Sequence, residues 1–203
     1  PINHLGYQPQ TRLEKQKYQR DTELMLKMIN TYPDNPETAR IHNILASVYE
    51  ENEQVDLALQ HYQQGLERVQ HDPMIQEVLT RGKYRLLLKT RAFEKIISEL
   101  GEHHLLNDAY LCLYLAEAYF HTGQAENALN QAEQALRLQV SQALQPDPLE
   151  QQLARHEIYY LLARLCTKLN RNAQAVYYFK CYLKLCPQDI SALREYESLQ
   201  KAF

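Results

Sequence analysis

Small and large apolar residues recur along the chain at a spacing that predicts packed helices. Three stretches, beginning at Ala39, Ala109 and His156, align with one another without gaps. Each contains a Leu-Ala pair, a second core position twelve residues after that Ala, and a third core position four residues later. The aligned residues are Leu45, Ala46, Ala58 and Tyr62; Leu115, Ala116, Ala128 and Ala132; and Leu162, Ala163, Ala175 and Phe179. Small residues let two helices approach and large ones fill the adjoining groove, so each stretch predicts a helical hairpin.

This pattern resembles the tetratricopeptide repeat, a helix pair of about 34 residues. The third copy carries the terminal Pro of the repeat as Pro187. Trp is absent, and its slot is held by His42, Cys112 and Tyr159. The resemblance implies an all-α fold, a tetratricopeptide-like α-solenoid of antiparallel helix hairpins with a C-terminal capping helix.

The predicted repeat domain covers residues 13–203. A degenerate copy, in which Tyr84 and Ile96 replace two small residues, lies between the first two clear copies. We expect hairpins at about 39–72, 77–106 (the degenerate copy), 109–140 and 156–187, and a capping helix at 189–203. The apolar residues of the capping helix are Ile190, Leu193, Tyr196 and Leu199. In the insertion before the last hairpin, Asp147, Pro148 and Glu150 predict the start of a longer helix.

The composition limits the classes of partner. The chain has 203 residues, of which 45% are hydrophobic and 23% charged, and its net charge is -3. Nucleic-acid-binding domains are usually strongly basic and a membrane span needs about 18 apolar residues in a row, so the sequence predicts neither. Cys112, Cys166, Cys181 and Cys186 form no Cys-x-x-Cys pair and lie within helical apolar patterns. We therefore expect small buried thiols and a cytoplasmic location.

No group of residues predicts catalysis. The sequence contains no Asp-x-Asp pair for a metal and a nucleotide sugar, and no Gly-rich loop that could cradle a phosphate. His156 and Glu157 begin like the helix motif of zinc proteases, but Tyr160 stands where the second His is required. We therefore expect no metal site, no cofactor and no enzymatic activity in this chain.

The resemblance also implies a binding groove, because the first helix of each hairpin would line the concave face of the solenoid. Carried over by offset, the groove residues are Arg40, Asn43, Arg81, Arg85, Tyr110, Glu117, Phe120, Tyr160, Arg164 and Lys168. Such a groove is basic with aromatic patches. Arg guanidinium groups bind carboxylates in a forked geometry and Tyr supplies amphipathic area, so the expected partner is a protein or peptide segment, acidic or tyrosine-binding. The same residues would equally serve as an ordinary solvated helix surface.

A homodimer is an alternative use of the apolar surface. Tyr177, Tyr178 and Tyr182 crowd one helix and could bury area against a second copy, as in symmetric homodimers. They could equally belong to the core.

The first residues resemble a junction of bacterial family 2 glycosyltransferases. The matching residues are Ile2, His4, Gly6, Tyr7, Lys15, Lys17, Arg20, Leu24, Leu26, Pro33, Asp34, Asn35 and Pro36. In those enzymes a GT-A catalytic domain ends in a similar segment, and a basic helix and a Pro-Asp-Asp-Pro turn lead into tetratricopeptide repeats. Asn35 departs from that turn. The resemblance implies that residues 1–12 are an extended remnant of an upstream domain that transfers a sugar from a nucleotide-sugar donor.

Two functions therefore stay open. The chain is either a noncatalytic scaffold in the C-terminal region of a bacterial glycosyltransferase, or a freestanding adaptor or assembly factor unrelated to sugar transfer.

The repeat alignment predicts where the core does not tolerate added volume. Replacing Ala116 or Ala163 by Leu should overpack a helix contact and lower the free energy of unfolding by roughly 1 to 3 kcal/mol. Thermal melting of each variant followed by circular dichroism measures this loss. Wild-type melting of both variants would contradict the alignment.

Overall fold

A computed structural model describes residues 12–33, 35–69, 72–102, 107–142 and 148–201. Of the expected stub over residues 1–12, only Arg12 is among them. The glycosyltransferase-like matches at Ile2, His4, Gly6, Tyr7 and Asp34 lie outside the described residues, as do the side chains of Lys15 and Lys17.

Helices and turns make up the described part of the chain, which contains no strand. The helices are α1 Arg12–Thr31, α2 Thr38–Glu51, α3 Val55–Arg68, α4 Pro73–Lys89, α5 Phe93–Leu100, α6 Ala109–His121, α7 Ala125–Gln142, α8 Pro148–Lys168, α9 Asn172–Leu185 and α10 Ile190–Lys201. Successive helices pack as antiparallel hairpins, above all α2 with α3, α6 with α7 and α8 with α9. The predicted fold class, all-α with tetratricopeptide-like hairpins, is confirmed. The helix start predicted near Asp147 is confirmed too, because α8 begins at Pro148 and is 21 residues long.

The turn inside each hairpin has the same backbone geometry four times. One residue per turn adopts a left-handed conformation: Glu53 (φ 59°), Arg91 (φ 60°), Gly123 (φ 83°) and Asn170 (φ 56°). The next N–H donates to the carbonyl five residues earlier at 2.8 to 2.9 Å, in the pairs Gln54 to Tyr49, Ala92 to Leu87, Gln124 to Tyr119 and Arg171 to Cys166. This is the bond that ends a helix in a Schellman motif. The degenerate copy therefore turns at the aligned position, which confirms the alignment of Tyr84 with Ala46.

The chain forms two compact units, Pro1–Leu86 and Leu87–Phe203. In the first unit, Leu45, Ala46, Ala58 and Leu79 are fully buried between α2, α3 and α4. In the second unit, the aligned residues Ala116, Ala128, Ala163 and Ala175 are likewise 0% exposed. The small positions of the alignment thus lie in helix contacts, as predicted.

Helices α3 and α4 approach especially closely at Gly82. A Cβ atom at this position would lie 2.5 Å from the ring of Tyr62. That ring is 1% exposed, and its hydroxyl group donates to Oε2 of Glu50 at 3.4 Å. A larger residue than glycine would therefore have to displace a buried and hydrogen-bonded ring.

The four cysteines are free thiols. Cys112 and Cys166 are buried, and burial raises the pKa of each to about 11. Both thiols therefore stay protonated at neutral pH. Cys181 and Cys186 are only half-buried, so the expectation of buried thiols is confirmed for two of the four.

Helix α10 packs on the preceding hairpin through Ala192, Tyr196 and Leu199. These residues follow the spacing of one helix face. Ile190 and Leu193 were expected on that face, but they are 65% and 39% exposed. They lie to the side of the packing face, because Ala192 rather than Leu193 occupies its centre.

The first unit contains a buried histidine pair. Nδ1 of His42 lies 2.9 Å from Nδ1 of His61, and the two residues are 1% and 7% exposed. The ring of Tyr49 stacks on His61 with 5.2 Å between the ring centroids. Nε2 of His42 is buried and has no hydrogen-bond partner in the described part of the chain. Because buried N–H groups without an acceptor are rarer than unsatisfied acceptors, we assign the Nδ1 proton to His42 and the acceptor role to His61.

Burial holds this pair neutral. Burial, together with the nearby charges of His61 and Arg68, lowers the pKa of His42 to about 4. Burial also lowers the pKa of His61. An exposed imidazole has a pKa of about 6.5, so the unfolded chain takes up protons in a pH range where the folded chain does not.

Acid should therefore weaken the first unit. The stabilisation from neutral His42 is present above about pH 6.5 and is lost as the pH falls towards 4, a loss of roughly 3 kcal/mol. Urea unfolding between pH 7 and pH 4.5, for the wild type and for His42→Leu, measures it. The slope of unfolding free energy against pH should be smaller in the variant; equal slopes would contradict the role of the pair.

Candidate functional site

Three side chains of the predicted groove meet in the second unit. The guanidinium carbon of Arg164 lies 4.9 Å from the centroid of the Phe120 ring, and Nζ of Lys168 lies 5.2 Å from the same centroid. Phe120 is on α6, while Arg164 and Lys168 are one turn apart on α8. We call these three residues the cation–aromatic cluster.

Local sequence positions both helices of this cluster. Asp108 caps α6, because its Oδ1 accepts hydrogen bonds from the backbone N–H of Tyr110 at 2.8 Å and of Leu111 at 3.1 Å. Buried Cys112 and Ala116 face the hairpin, which leaves Phe120 half-buried near the end of α6. On α8 the residues at four-residue intervals share one face.

Arg164 and Lys168, the two cations of the cluster, are exposed, and neither forms an ion pair with any residue that the structure describes. By contrast, Arg171 at the start of α9 is held by Glu126 at 3.0 Å. A cation on an aromatic face gains about 0.5 to 1 kcal/mol at an exposed site, so Phe120 orients both groups without neutralising them.

A carboxylate in the same region is poorly solvated. The pKa of Glu117 is raised, first by burial and then by the charge of Glu157, while Arg164 opposes the rise. Glu117 lies on α6 one turn before Phe120. It makes this side of the cluster unfavourable for a further negative charge.

Tyr160 contacts α9 and α10 as well as the cluster. Its hydroxyl group donates to Oε1 of Glu195 on α10 at 3.4 Å, and its ring lies 4.9 Å from that of Tyr182. The guanidinium of Arg164 is 5.7 Å from the Tyr160 ring. Burial, followed by Glu195, raises the pKa of this phenol. Tyr160 therefore connects the cluster to α9 and α10.

Tyr110 lies on α6 with its ring 6.4 Å from that of Tyr114. That Tyr110 lines a binding groove stays a prediction.

The predicted groove residues of the first unit interact with other residues of that unit. Arg40 binds Asp72 at 2.9 Å and Glu37 at 3.5 Å. Arg40 also lines a cavity of about 630 Å³, and the charged groups that line it carry both signs. Asn43 is half-buried on α2, where its backbone carbonyl accepts from Ser47 at 3.1 Å.

The two arginines of α4 are paired as well. Arg81 forms an ion pair with Glu77, one turn earlier on the same helix. Arg85 reaches across to α2 and binds Oε2 of Glu50 at 2.7 Å. Both side chains thus have a carboxylate within the unit, which leaves less of their charge for a partner than at Arg164 and Lys168.

The tyrosines considered for self-association divide between core and surface. Tyr182 is 7% exposed and Tyr178 packs against the cores of the second unit. Tyr177 is 60% exposed. Of the three, only Tyr177 presents its ring to solvent.

Sequence reasoning missed a pocket beside the cluster. It has a volume of about 390 Å³, lies between α8 and α10, and is lined by Thr167, Arg194, Glu195, Ser198 and Leu199. We call it the α8–α10 pocket. A signal was present in the sequence, since Arg194 and Ser198 follow Tyr160 and Arg164 by one repeat length of 34 residues. Sequence analysis did not predict the pocket, because it interpreted residues 189–203 only as a capping helix.

The described ranges contain no group of three or more His, Cys, Asp or Glu side chains that could hold a metal ion. None of their helices is long and apolar enough to cross a membrane.

The fold and this surface define a helical-repeat protein. Residues 115–190 match the family model described as Tetratricopeptide repeat. The match runs from the middle of α6 to the first residue of α10 and contains the whole cation–aromatic cluster. This part of the chain is therefore a tetratricopeptide repeat region, as the alignment predicted. No curated protein matches the chain.

Proposed function

We propose that the chain is a noncatalytic scaffold that binds an acidic segment of a partner protein at the cation–aromatic cluster. Helical-repeat proteins of this kind use their stacked surfaces for binding, which supports a role in protein interaction. The observation that carries the proposal is the pair of exposed cations on Phe120, with no ion pair to any described residue.

The geometry of the cluster suits a carboxylate. A guanidinium that rests on an aromatic ring keeps its N–H donors at the edge, where they can bind a carboxylate with two parallel hydrogen bonds. Lys168 adds a point charge one turn away, so two neighbouring carboxylates can be bound together. The ring of Phe120 offers apolar area to the aliphatic part of the guest.

Glu117 gives the surface a direction. Burial and the charge of Glu157 already disfavour the charged form of the Glu117 carboxyl group. A guest carboxylate next to Glu117 would therefore add further repulsion. The acidic residues of the guest should therefore lie on the Lys168 side of Arg164, away from Glu117.

We further propose that this scaffold belongs to the C-terminal region of a bacterial glycosyltransferase, where it would position the acceptor or a second subunit. The support is the resemblance of the first residues to the junction in family 2 enzymes; among the described residues it includes Arg20, Leu24 and Leu26 on α1 and the turn residues Pro33, Asn35 and Pro36. We also propose a cytoplasmic location, which the four free thiols support.

Charge reversal tests the binding site. The double variant Arg164→Glu with Lys168→Glu should bind the fluorescein-labelled peptide Ser-Asp-Glu-Ser-Asp-Glu-Ser at least about tenfold more weakly than the wild type, because two charge-assisted contacts are lost. Fluorescence anisotropy at low salt measures the affinity. The uncharged counterpart with Asn for Asp and Gln for Glu should bind weakly to both proteins.

The matched control is Lys180→Glu with Lys184→Glu. These residues are exposed, lie one turn apart on α9 and produce the same change in net charge. The control should retain affinity within about twofold. Equal losses in both double variants would indicate a nonspecific charge effect and contradict the site.

The glycosyltransferase proposal has its own test. Reading the coding sequence upstream of Pro1 should reveal some two hundred codons with an Asp-x-Asp motif, and the chain alone should not transfer sugar from nucleotide-sugar donors. A stop codon and start site directly before Pro1 would leave the freestanding adaptor. Sugar transfer by the chain alone would contradict the noncatalytic role.

A further inference from the structure

The α8–α10 pocket adjoins the cation–aromatic cluster through consecutive residues of α8. Thr167, which lines the pocket, precedes Lys168 and follows Arg164 by one turn. From the opposite wall, Glu195 binds the hydroxyl group of Tyr160. A segment bound to the two cations can therefore reach the pocket with a residue only a few positions away.

The lining of this pocket is less polar than its sequence implies. The hydroxyl group of Thr167 donates to the carbonyl of Ala163 at 2.9 Å, and that of Ser198 donates to the carbonyl of Arg194 at 2.8 Å. Both hydroxyl protons are therefore already bonded to backbone. Together with Leu199, these residues offer mainly hydrocarbon to an occupant.

The charged residues of the pocket lie at its rim, and the cation among them has no ion-pair partner in the described ranges. Arg194 is exposed and makes no ion pair within the described ranges. Glu195 is half-buried and accepts a hydrogen bond from Tyr160. The pocket thus combines an apolar floor with a rim on which Arg194 continues the positive charge of Arg164 and Lys168.

We infer that the α8–α10 pocket holds one large apolar side chain, of the size of Leu, Met or Phe, from the same acidic segment that binds the cation–aromatic cluster. The inference rests on the proposed function and adds α10 to the binding surface. Its volume of about 390 Å³ leaves ample room for one such side chain. The guest is then an acidic motif with an apolar anchor a few residues away.

The test uses two matched peptide series. In one, Asp-Glu is followed by one to four Ser residues and then Phe; in the other, Ser replaces that Phe. At the best spacing, the Phe peptide should bind wild-type protein at least about fivefold more tightly than its Ser counterpart. Equal affinities at every spacing would overturn the inference.

A pocket-filling variant locates the preference. Ser198→Phe should abolish the difference between the two peptides and leave the affinity for the Ser peptide unchanged within about twofold. The matched control is Ser98→Phe on α5, where another exposed serine donates to a backbone carbonyl, that of Lys95 at 3.0 Å. The control should keep the preference for Phe. A preference that survives in Ser198→Phe would overturn the inference.

A measurement on the wild type is independent of the variant's folding. With benzoylphenylalanine in place of the peptide Phe, irradiation should cross-link the peptide to Thr167 or to residues 194–199, as mapped by mass spectrometry. Cross-links elsewhere would overturn the inference.

Other outcomes separate this inference from the proposed function. If neither series binds, or if binding is indifferent to the Arg164→Glu and Lys168→Glu changes, the acidic-partner proposal fails and the inference fails with it. If the charge variants weaken binding but Phe gives no advantage, only the inference fails. A dimer in sedimentation that Ser198→Phe dissociates would assign the pocket to a second copy and overturn the inference.

Discussion

The contact between the two helices of each hairpin, made through fully buried alanines, is the constraint on which the rest of the second unit depends. Ala116 on α6 and Ala128 on α7 are fully buried in the same core cluster, and such small side chains let two helices approach closely. Ala163 on α8 and Ala175 on α9 are likewise fully buried. Because the hairpins share one geometry, equivalent positions of successive first helices come side by side, which places the cations of α8 over Phe120.

The residues of the hairpin turns do little to favour the left-handed conformation that the turns require. Of the four left-handed turn residues only Gly123 is a glycine, whereas Glu53, Arg91 and Asn170 adopt a conformation that costs non-glycine residues roughly 1 kcal/mol. They hold it because the following N–H closes the preceding helix and because the packing on either side fixes where the chain must reverse. Tertiary contact therefore overrides local preference here. This explains why the degenerate copy, which lacks both small residues, still turns at the aligned position.

Residue patterns predicted the helices and the repeat alignment, because both follow from periodicity along single helices. They placed Phe120, Arg164 and Lys168 among the groove residues but did not predict their contact between α6 and α8. They did not predict which arginines would be neutralised. The partner of Arg85 is Glu50, 35 residues earlier and on another helix, and the partner of Arg40 is Asp72. Such pairs depend on side-chain reach across helix contacts, which a helical period does not encode. Arginines at the same offset in the repeat therefore differ in their pairing. Arg85 in the first unit binds Glu50, whereas Arg164 in the second unit forms no ion pair with a described residue.

The anchoring of α10 shows how a helix expected only to cap the stack also forms one wall of the α8–α10 pocket. Two tyrosines from the preceding hairpin hold it by hydrogen bonds to carboxylates: Tyr160 to Glu195, and Tyr182 to Asp189 at 2.7 Å. Asp189 also accepts from the backbone N–H of Ala192, so the same side chain starts the helix and ties it down. The wall of the α8–α10 pocket is thus fixed at both ends of its first two turns before any guest arrives. A pocket wall held in this way would lose little conformational entropy on binding, which lowers the cost of filling the pocket.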